Sequence, residues 1–138
     1  MPTATYNKYT AAIEPLLEGI NAGTDAFKVA LAATVNAADT VFTPGTTDLA
    51  TGGGYTQGGN ACTTASASQS GGTYKLVLNS PAVWTASGGG FTFRYAILWD
   101  STTNTPIGYW DYGSSQVVAA GETVTVTLDA TNGVFQAT

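Results

Sequence analysis

The sequence predicts an all-β fold with one short N-terminal helix, an antiparallel β-sandwich of jelly-roll-like form. Its 138 residues suffice for one domain and leave no room for a second. Beyond residue 25, apolar and polar residues alternate, which is the period of a strand that buries one face. Clusters of Gly, Pro, Asn and Ser separate the alternating runs about every 8 to 12 residues, as in sandwiches and small barrels.

The helical signal precedes these strands. Four apolar residues share one side of a helix through their i, i+3, i+4 and i+7 spacing: Ile13, Leu16, Leu17 and Ile20. Pro15 leaves two alternatives, a helix that begins near Pro15 or a helix over residues 6–14 that kinks there. We expect Gly19 and Gly23 to end the helix, and its apolar side to pack across an open edge or face of the sheet. The alternative is that this side of the helix binds a partner.

Period-two alternation places the strands. The clearest runs cover residues 27–31, 74–78, 91–99 and 124–128. In the strongest run, residues 91–99, five side chains share the predicted core face: Phe91, Phe93, Tyr95, Ile97 and Trp99. Further candidate strands cover residues 62–69, 82–85, 107–112, 116–119 and 134–137.

Two segments lack this alternation. We expect residues 1–24 to form an N-terminal arm with the short helix, and residues 25–138 to form the single β-sandwich domain. A long loop interrupts that domain at about residues 36–60. The arm over residues 2–10 and the loop contain few apolar residues, so we expect both to become ordered on contact with a partner.

Composition excludes several kinds of chemistry. The chain has no His and one Cys, which excludes Ser-His-Asp hydrolysis, imidazole metal sites and an internal disulfide. Four cations, Lys8, Lys28, Lys75 and Arg94, are scattered along a chain of net charge −5, which disfavours nucleic acid and anionic membranes as partners. We expect no cofactor, no metal ion and no enzymatic activity. The polar first residues lack the pattern of a secretory signal, so we expect folding in a reducing cytoplasm.

Three carboxylates near the ends of predicted strands, Asp100, Asp111 and Asp129, invite a comparison with glycosidases, which use a pair of carboxylates. Asp100 and Asp129 precede turn-forming residues, so the preferred interpretation is that they accept hydrogen bonds from their own turns. We expect Arg94 to pair with Asp111 or Asp100, or to lie at an interface. Cys62 is interpreted as a small strand residue, since no basic neighbour in the sequence activates its thiol.

Aromatic residues give a further alternative. Five of them could form a platform on which sugar rings stack: Trp84, Trp99, Tyr109, Trp110 and Tyr112. Alternation along the strand places Tyr109 and Asp111 on the face opposite Trp110 and Tyr112, so at least one set enters the core. Burial in the core or in a subunit interface is therefore the preferred interpretation.

An ordered series of short segments runs through residues 25–137. It consists of Asp25-Ala-Phe-Lys-Val-Ala-Leu, Gly54-Tyr-Thr-Gln-Gly-Gly, Trp84, Phe93-Arg-Tyr-Ala-Ile-Leu, Ile107-Gly-Tyr-Trp-Asp-Tyr-Gly, residues 125–128 and Asn132-Gly-Val-Phe. In this order the segments resemble a group of small structural proteins of tailed bacteriophages, the capsid decoration or cement proteins. The resemblance implies a non-enzymatic protein that binds the outside of a phage head and stabilises contacts between capsomers.

The resemblance also implies the partners and the location. The partner would be the major capsid protein, and the chain would form a homo-dimer or homo-trimer on a local symmetry axis. Synthesis would take place in the bacterial cytoplasm, and the assembled protein would lie on the capsid surface of the virion. Its binding surface would be spread over the domain, and we expect it to include Tyr6, Tyr9, Tyr55, Arg94, Tyr109, Trp110 and Asp111.

Two other classes of protein share these sequence features. A tail or head-fibre component would have the same fold but a few copies per particle. A carbohydrate-binding β-sandwich module would bind glycans and lose that binding when Trp110 or Trp99 is replaced by Ala. Fold alone does not separate these classes from a decoration protein.

Overall fold

The computed structural model describes residues 3–138 as three antiparallel sheets and one short helix. In chain order the elements are β1 (Thr5–Lys8), α1 (Ile13–Glu18), β2 (Phe27–Ala32), β3 (Asn60–Cys62), β4 (Thr64–Ser70), β5 (Thr73–Leu78), β6 (Trp84–Thr85), β7 (Phe91–Asp100), β8 (Thr105–Val118), β9 (Thr123–Val124) and β10 (Phe135–Ala137). The predicted all-β fold is confirmed, and the jelly-roll arrangement stays a prediction. Among the described residues, no helix has the length and apolar character that crossing a membrane requires.

A five-stranded sheet of order β1-β8-β7-β2-β3 lies at the centre of the fold. The smaller sheets β10-β5-β4 and β6-β9 contribute, together with one face of the central sheet, to the larger of two buried clusters. The predicted alternation builds this cluster, since Phe27, Val29 and Leu31 of β2 all enter it. Burial also alternates beyond β9, where Val126 and Leu128 continue the pattern outside a regular strand.

Irregularities in the β7–β8 pair overturn the predicted single face of residues 91–99. The register slips between Phe93 and Tyr95, where several residues of β8 have no partner in β7. Phe93 lies in the larger cluster, whereas Tyr95, Ile97 and Trp99 belong to a second cluster on the other side of the sheet. The prediction that all five side chains share one core face is therefore wrong beyond Phe93, because a register slip exchanges the two faces of a strand.

Residues 33–59 form no helix or strand, and they contribute side chains to both buried clusters, Phe42 to the second and Tyr55 to the larger. The Phe42 ring stacks on the Trp99 ring with 4.0 Å between centroids, and the indole N–H of Trp99 donates to the carbonyl oxygen of Gly58 at 3.1 Å. Both aromatic side chains are buried. The expectation that this loop becomes ordered on contact with a partner is wrong, because these contacts within the chain already hold it to the sheet.

A buried carboxylate ties the same loop together. Asp48, which is 7 % exposed, accepts hydrogen bonds from the backbone N–H groups of Gly45 (2.6 Å) and Gly58 (2.5 Å) and from the Tyr55 hydroxyl (2.5 Å). The Tyr55 hydroxyl in turn accepts a bond from the backbone N–H of Leu31 in β2 at 3.0 Å. Burial, and then the bond to Asp48, raise the pKa of Tyr55, so the phenol stays protonated and keeps donating.

The N-terminal arm belongs to the central sheet. β1 pairs with β8, with Tyr6 opposite Trp110, and Tyr9 is fully buried in the second cluster. The alternative of a helix over residues 6–14 is therefore wrong, and so is the expectation that the arm orders on contact; Pro2 lies outside the described residues. The pairing satisfies backbone hydrogen bonds, so a segment with few apolar residues can still be ordered.

Helix α1 begins at Ile13, so Pro15 lies in its first turn, and it ends at Glu18. Gly19 closes it as predicted, with its N–H donating to the Pro15 carbonyl oxygen at 2.8 Å. Leu16 and Ile20 pack against the core, but Ile13 and Leu17 are exposed, at 48 % and 78 %. The prediction that the whole apolar side packs inward is wrong for these two residues, because a helix this short buries only one of its two i, i+4 rows.

Candidate functional site

Five of the seven predicted interface residues gather where β1, β8 and β7 lie side by side, namely Tyr6, Arg94, Tyr109, Trp110 and Asp111. All five keep part of their surface in contact with solvent. Tyr109 packs against the second cluster and Trp110 against the larger one. Tyr109 and Trp110 thus lie on opposite faces of the sheet, as the alternation predicts.

Arg94 and Asp111 form a bidentate ion pair between β7 and β8. The Arg94 Nε donates to Oδ1 of Asp111 at 2.8 Å and the Arg94 Nη2 donates to Oδ2 at 3.0 Å. These bonds, and then the backbone N–H of Gly113, lower the pKa of Asp111. The guanidinium also lies 5.1 Å from the centroid of the Tyr95 ring. The predicted pairing of Arg94 with Asp111 is confirmed, and it presents two oriented but mutually neutralised charges at the surface.

Tyr6 and Trp110 form the aromatic part of the opposite face. Their rings are tilted by 50° with 5.0 Å between centroids, and Asp129 lines a depression beside them. The Asp129 carboxylate already accepts bonds from the N–H groups of Thr131 and Asn132 and from the Asn132 side chain. In this depression Tyr6 partly covers the Trp110 ring, and the Asp129 carboxylate is engaged in its own turn. Neither group is therefore well placed to bind a sugar.

Tyr9 and Tyr55 do not belong to an exposed surface. Their side chains are 0 % and 1 % exposed. Tyr9 packs edge to face against Tyr109 with 5.5 Å between centroids, and Tyr55 is bound to Asp48. The expectation of an interface role is wrong for both residues, because each ring is already packed inside the chain.

Two of the three Trp residues are core residues. Trp84 and Trp99 are each 3 % exposed, so the core interpretation is confirmed for them and neither can serve as a platform for a sugar. Cys62 is also buried, and burial raises the pKa of its thiol to about 12. The thiol therefore stays protonated at neutral pH, as expected of a small strand residue.

Two of the candidate carboxylates, Asp100 and Asp129, accept hydrogen bonds within their own turns. Oδ1 of Asp100 accepts bonds from the backbone N–H groups of Thr102 (2.8 Å) and Thr103 (3.2 Å), and Asp129 acts in the same way in its turn. The turn interpretation is confirmed for both. Within residues 3–138, no three His, Cys, Asp or Glu side chains are grouped so that they could hold a metal ion.

An exposed apolar patch lies on the helix, which we call the α1 patch and define as Ile13 and Leu17. These side chains are 48 % and 78 % exposed. They line one depression together with Thr40. The signal that could have revealed the patch is the close spacing of Pro15 and Gly19, which limits the helix to little more than one turn.

A feature that the sequence did not single out is the outer edge of β4, called the β4 edge. β4 is the last strand of the three-stranded sheet, and all of its residues except Ala67 are exposed. The signal in the sequence is the absence of charged residues and of Pro from residue 60 to residue 73.

Comparison with known proteins gives no relative, since no protein-family model, no curated protein and no solved structure matches the chain.

Proposed function

We propose that the chain is a non-enzymatic structural protein of a virion, a decoration or cement protein. It binds the outside of a bacteriophage head beside the major capsid protein and stabilises contacts between capsomers. It is made in the cytoplasm of the bacterial host and ends on the capsid surface. The observation that carries the proposal is the α1 patch, and the sequence resemblance supplies the kind of partner that covers it.

The α1 patch has the composition of a protein-binding surface. Ile13 and Leu17 expose about half or more of their apolar side chains to water. Glu14 and Glu18 line the same depression, so the apolar residues have a polar rim, as protein interfaces do. Burial of the Leu17 side chain alone contributes about 1.5–3 kcal/mol, and the contribution recurs at every copy on a shell.

A cement protein needs a second contact in order to bridge two capsomers. The half-exposed residues Arg94, Tyr109 and Asp111 on one face of the central sheet, with Tyr6 and Trp110 on the other, provide that contact. Arg and Tyr are favoured at interfaces because they combine large area with oriented hydrogen bonding. Each bound copy then adds contacts that must break before neighbouring capsomers separate, so the proposed mechanism is mechanical.

Replacing Leu17 by Asp tests the proposal. The variant and the unmodified chain are added to purified phage heads that lack the protein, and bound copies per major capsid protein are measured by quantitative mass spectrometry. Loss of the buried Leu side chain is expected to weaken binding by roughly tenfold to a hundredfold.

Val117→Asp is the matched control, because Val117 is 75 % exposed and Leu17 is 78 % exposed, and Val117 lies on β8 away from the helix. The control should bind like the unmodified chain. Equal binding by Leu17→Asp and Val117→Asp, with thermal unfolding showing both variants folded, would contradict the proposed use of the α1 patch.

A further inference from the structure

We propose that the β4 edge is a dimer interface, in which two copies of this chain pair β4 against β4 in antiparallel orientation about a two-fold axis. The proposal identifies the surface behind the homo-oligomer expected from the sequence. It does not depend on capsid binding, because the pairing uses only groups of this chain.

The backbone of β4 is open on its outer side. A two-residue turn, Gly71-Gly72 with φ of 59° and 80°, joins β4 to β5, and such a turn makes the flanking Ser70 and Thr73 a hydrogen-bonded pair. Alternation along the ladder then directs the N–H and C=O groups of Ala67 and Gln69 away from β5. These groups form a row of free donors and acceptors that matches another extended strand.

The β4 edge lacks most of the devices that normally protect such a row. It is seven residues long and contains no charged residue and no Pro, and one bulge lies at its beginning, between Thr64 and Ser66. The other sheet edges in the described chain are shorter: β1 has four residues and ends in Lys8, and β3 and β10 have three residues each. Leu16 and Leu17 share a depression with Phe135 of β10, so α1 flanks the opposite edge of the same sheet.

The strand is complementary to itself. An antiparallel pair centred on Ala67 sets Ala67 opposite its own copy and Ser66 opposite Ser68 of the second copy, and Thr64 opposite Ser70. These pairs join small uncharged side chains, and the remaining pair, Ala65 with Gln69 of the second copy, is also uncharged, so no like charges meet across the two strands. A two-fold axis through such a pair closes the assembly at two copies.

One charged residue lies near this axis. Lys75 of β5 is opposite Ser68, and it lines the same depression as Ser66 and Ser68. Its Nζ donates to the carbonyl oxygen of Thr131 at 3.4 Å, so each copy engages this ammonium group within its own chain.

Pairing through one strand is weak. It buries less than the roughly 1,200 Å² of a standard interface, so we expect a dissociation constant on the order of 100 μM. Sedimentation equilibrium from about 10 μM to 1 mM should show the mean mass rise from 14.0 kDa toward twice that value. The amide protons of Ala67 and Gln69 should exchange more slowly in the concentrated sample, because pairing gives them acceptors.

The double variant Ser66→Lys, Ser68→Lys places Lys opposite Lys across the axis and should weaken pairing by about tenfold or more. The double variant Ser114→Lys, Ser115→Lys is the matched control, since it adds the same charge at two exposed residues of β8. The control should dimerise like the unmodified chain.

Three results would overturn the pairing: a monomer at every concentration, a trimer, or a dimer that tolerates the β4 substitutions. If the β4 variant does not fold, amide exchange in the unmodified chain tests the pairing instead. The same exchange rate for the Ala67 amide in dilute and concentrated samples would overturn the proposal. A monomer that still binds phage heads overturns only the pairing, and a β4 dimer that does not bind them overturns only the decoration function.

Discussion

Two buried carboxylates hold loops of this chain, and their hydrogen bonding differs. Both oxygens of Asp48 accept bonds, three in all. Asp100 is 0 % exposed, and its Oδ1 accepts two bonds, but its Oδ2 has no partner among the described residues. A buried ionised oxygen without a donor is costly. Burial, and then the neighbouring Asp25 carboxyl, raise the pKa of Asp100.

The pKa of Asp100 makes a prediction about pH. When folding raises the pKa of a carboxyl, its contribution to stability is fully present below the pKa of the unfolded chain, near 3.9. That contribution is lost as the pH rises through the pKa of the folded chain. Asp100→Asn removes that dependence. We expect the free energy of unfolding of the unmodified chain, relative to that of Asp100→Asn, to fall as pH rises from 3 to 7 in urea titrations.

Asp129→Asn is a control of opposite sign. The N–H of Asn132 and then its side chain lower the pKa of Asp129, so this carboxylate contributes stability above its unfolded pKa and loses it in acid. The free energy of unfolding of the unmodified chain relative to Asp129→Asn should therefore rise with pH. Parallel behaviour of the two variants would refute the assignment for Asp100.

At the scale of elements, residues 33–59 act as a third layer although they contain no helix or strand. Phe42 is their main apolar anchor, stacked on Trp99. We expect Phe42→Ala to lower the free energy of unfolding by about 3–5 kcal/mol, since it leaves a cavity against the ring. Exposure of Trp99 should also shift the tryptophan emission to longer wavelength.

Val41→Ala is the matched control for this element. Val41 precedes Phe42 but is 57 % exposed, so its truncation should change the free energy of unfolding by less than about 0.5 kcal/mol. A loss of under 1 kcal/mol on Phe42→Ala would mean that the segment does not depend on the stacked pair.

The sequence was sufficient for the regular strands. Phe27, Val29 and Leu31 reveal β2 by alternation alone. The sequence predicted a carboxylate partner for Arg94 but left Asp111 and Asp100 as alternatives, and the structure selects Asp111. Local rules of this kind depend only on neighbouring residues. They therefore predict strands and nearby pairs well.

Contacts between distant residues were not predictable in this way. The register slip after Phe93 arises from the irregular pairing of β8, and β1 shows no alternation because it is held by backbone pairing at the edge of a sheet. Phe42 follows Val41 in a segment without alternation, so no period distinguishes the buried Phe42 from its exposed neighbour. Periodicity identified the apolar side of α1 but left open whether the sheet or a partner covers it.

At the scale of the whole molecule, the two proposed contacts are compatible. α1 flanks the β10 side of the three-stranded sheet, and β4 is its other edge. A dimer formed through β4 therefore leaves both α1 patches free. A dimer with two such patches binds a repetitive shell more tightly than a monomer with one, because its second contact forms at high effective concentration.

Copy number separates decoration from the other virion roles. A tail or head-fibre component would share the sheets, the α1 patch and the β4 edge, but it would be present in a few copies per particle. A decoration protein repeats with the symmetry of the shell. The ratio of this chain to the major capsid protein thus tests the proposed function without requiring any variant.

The most direct measurement is that ratio in purified virions, by quantitative mass spectrometry with the major capsid protein as internal reference. The account predicts on the order of hundreds of copies per particle, one per shell subunit or a simple fraction of one. A few copies per virion, or none, would contradict decoration and move the chain to a tail, a fibre or a role outside the virion.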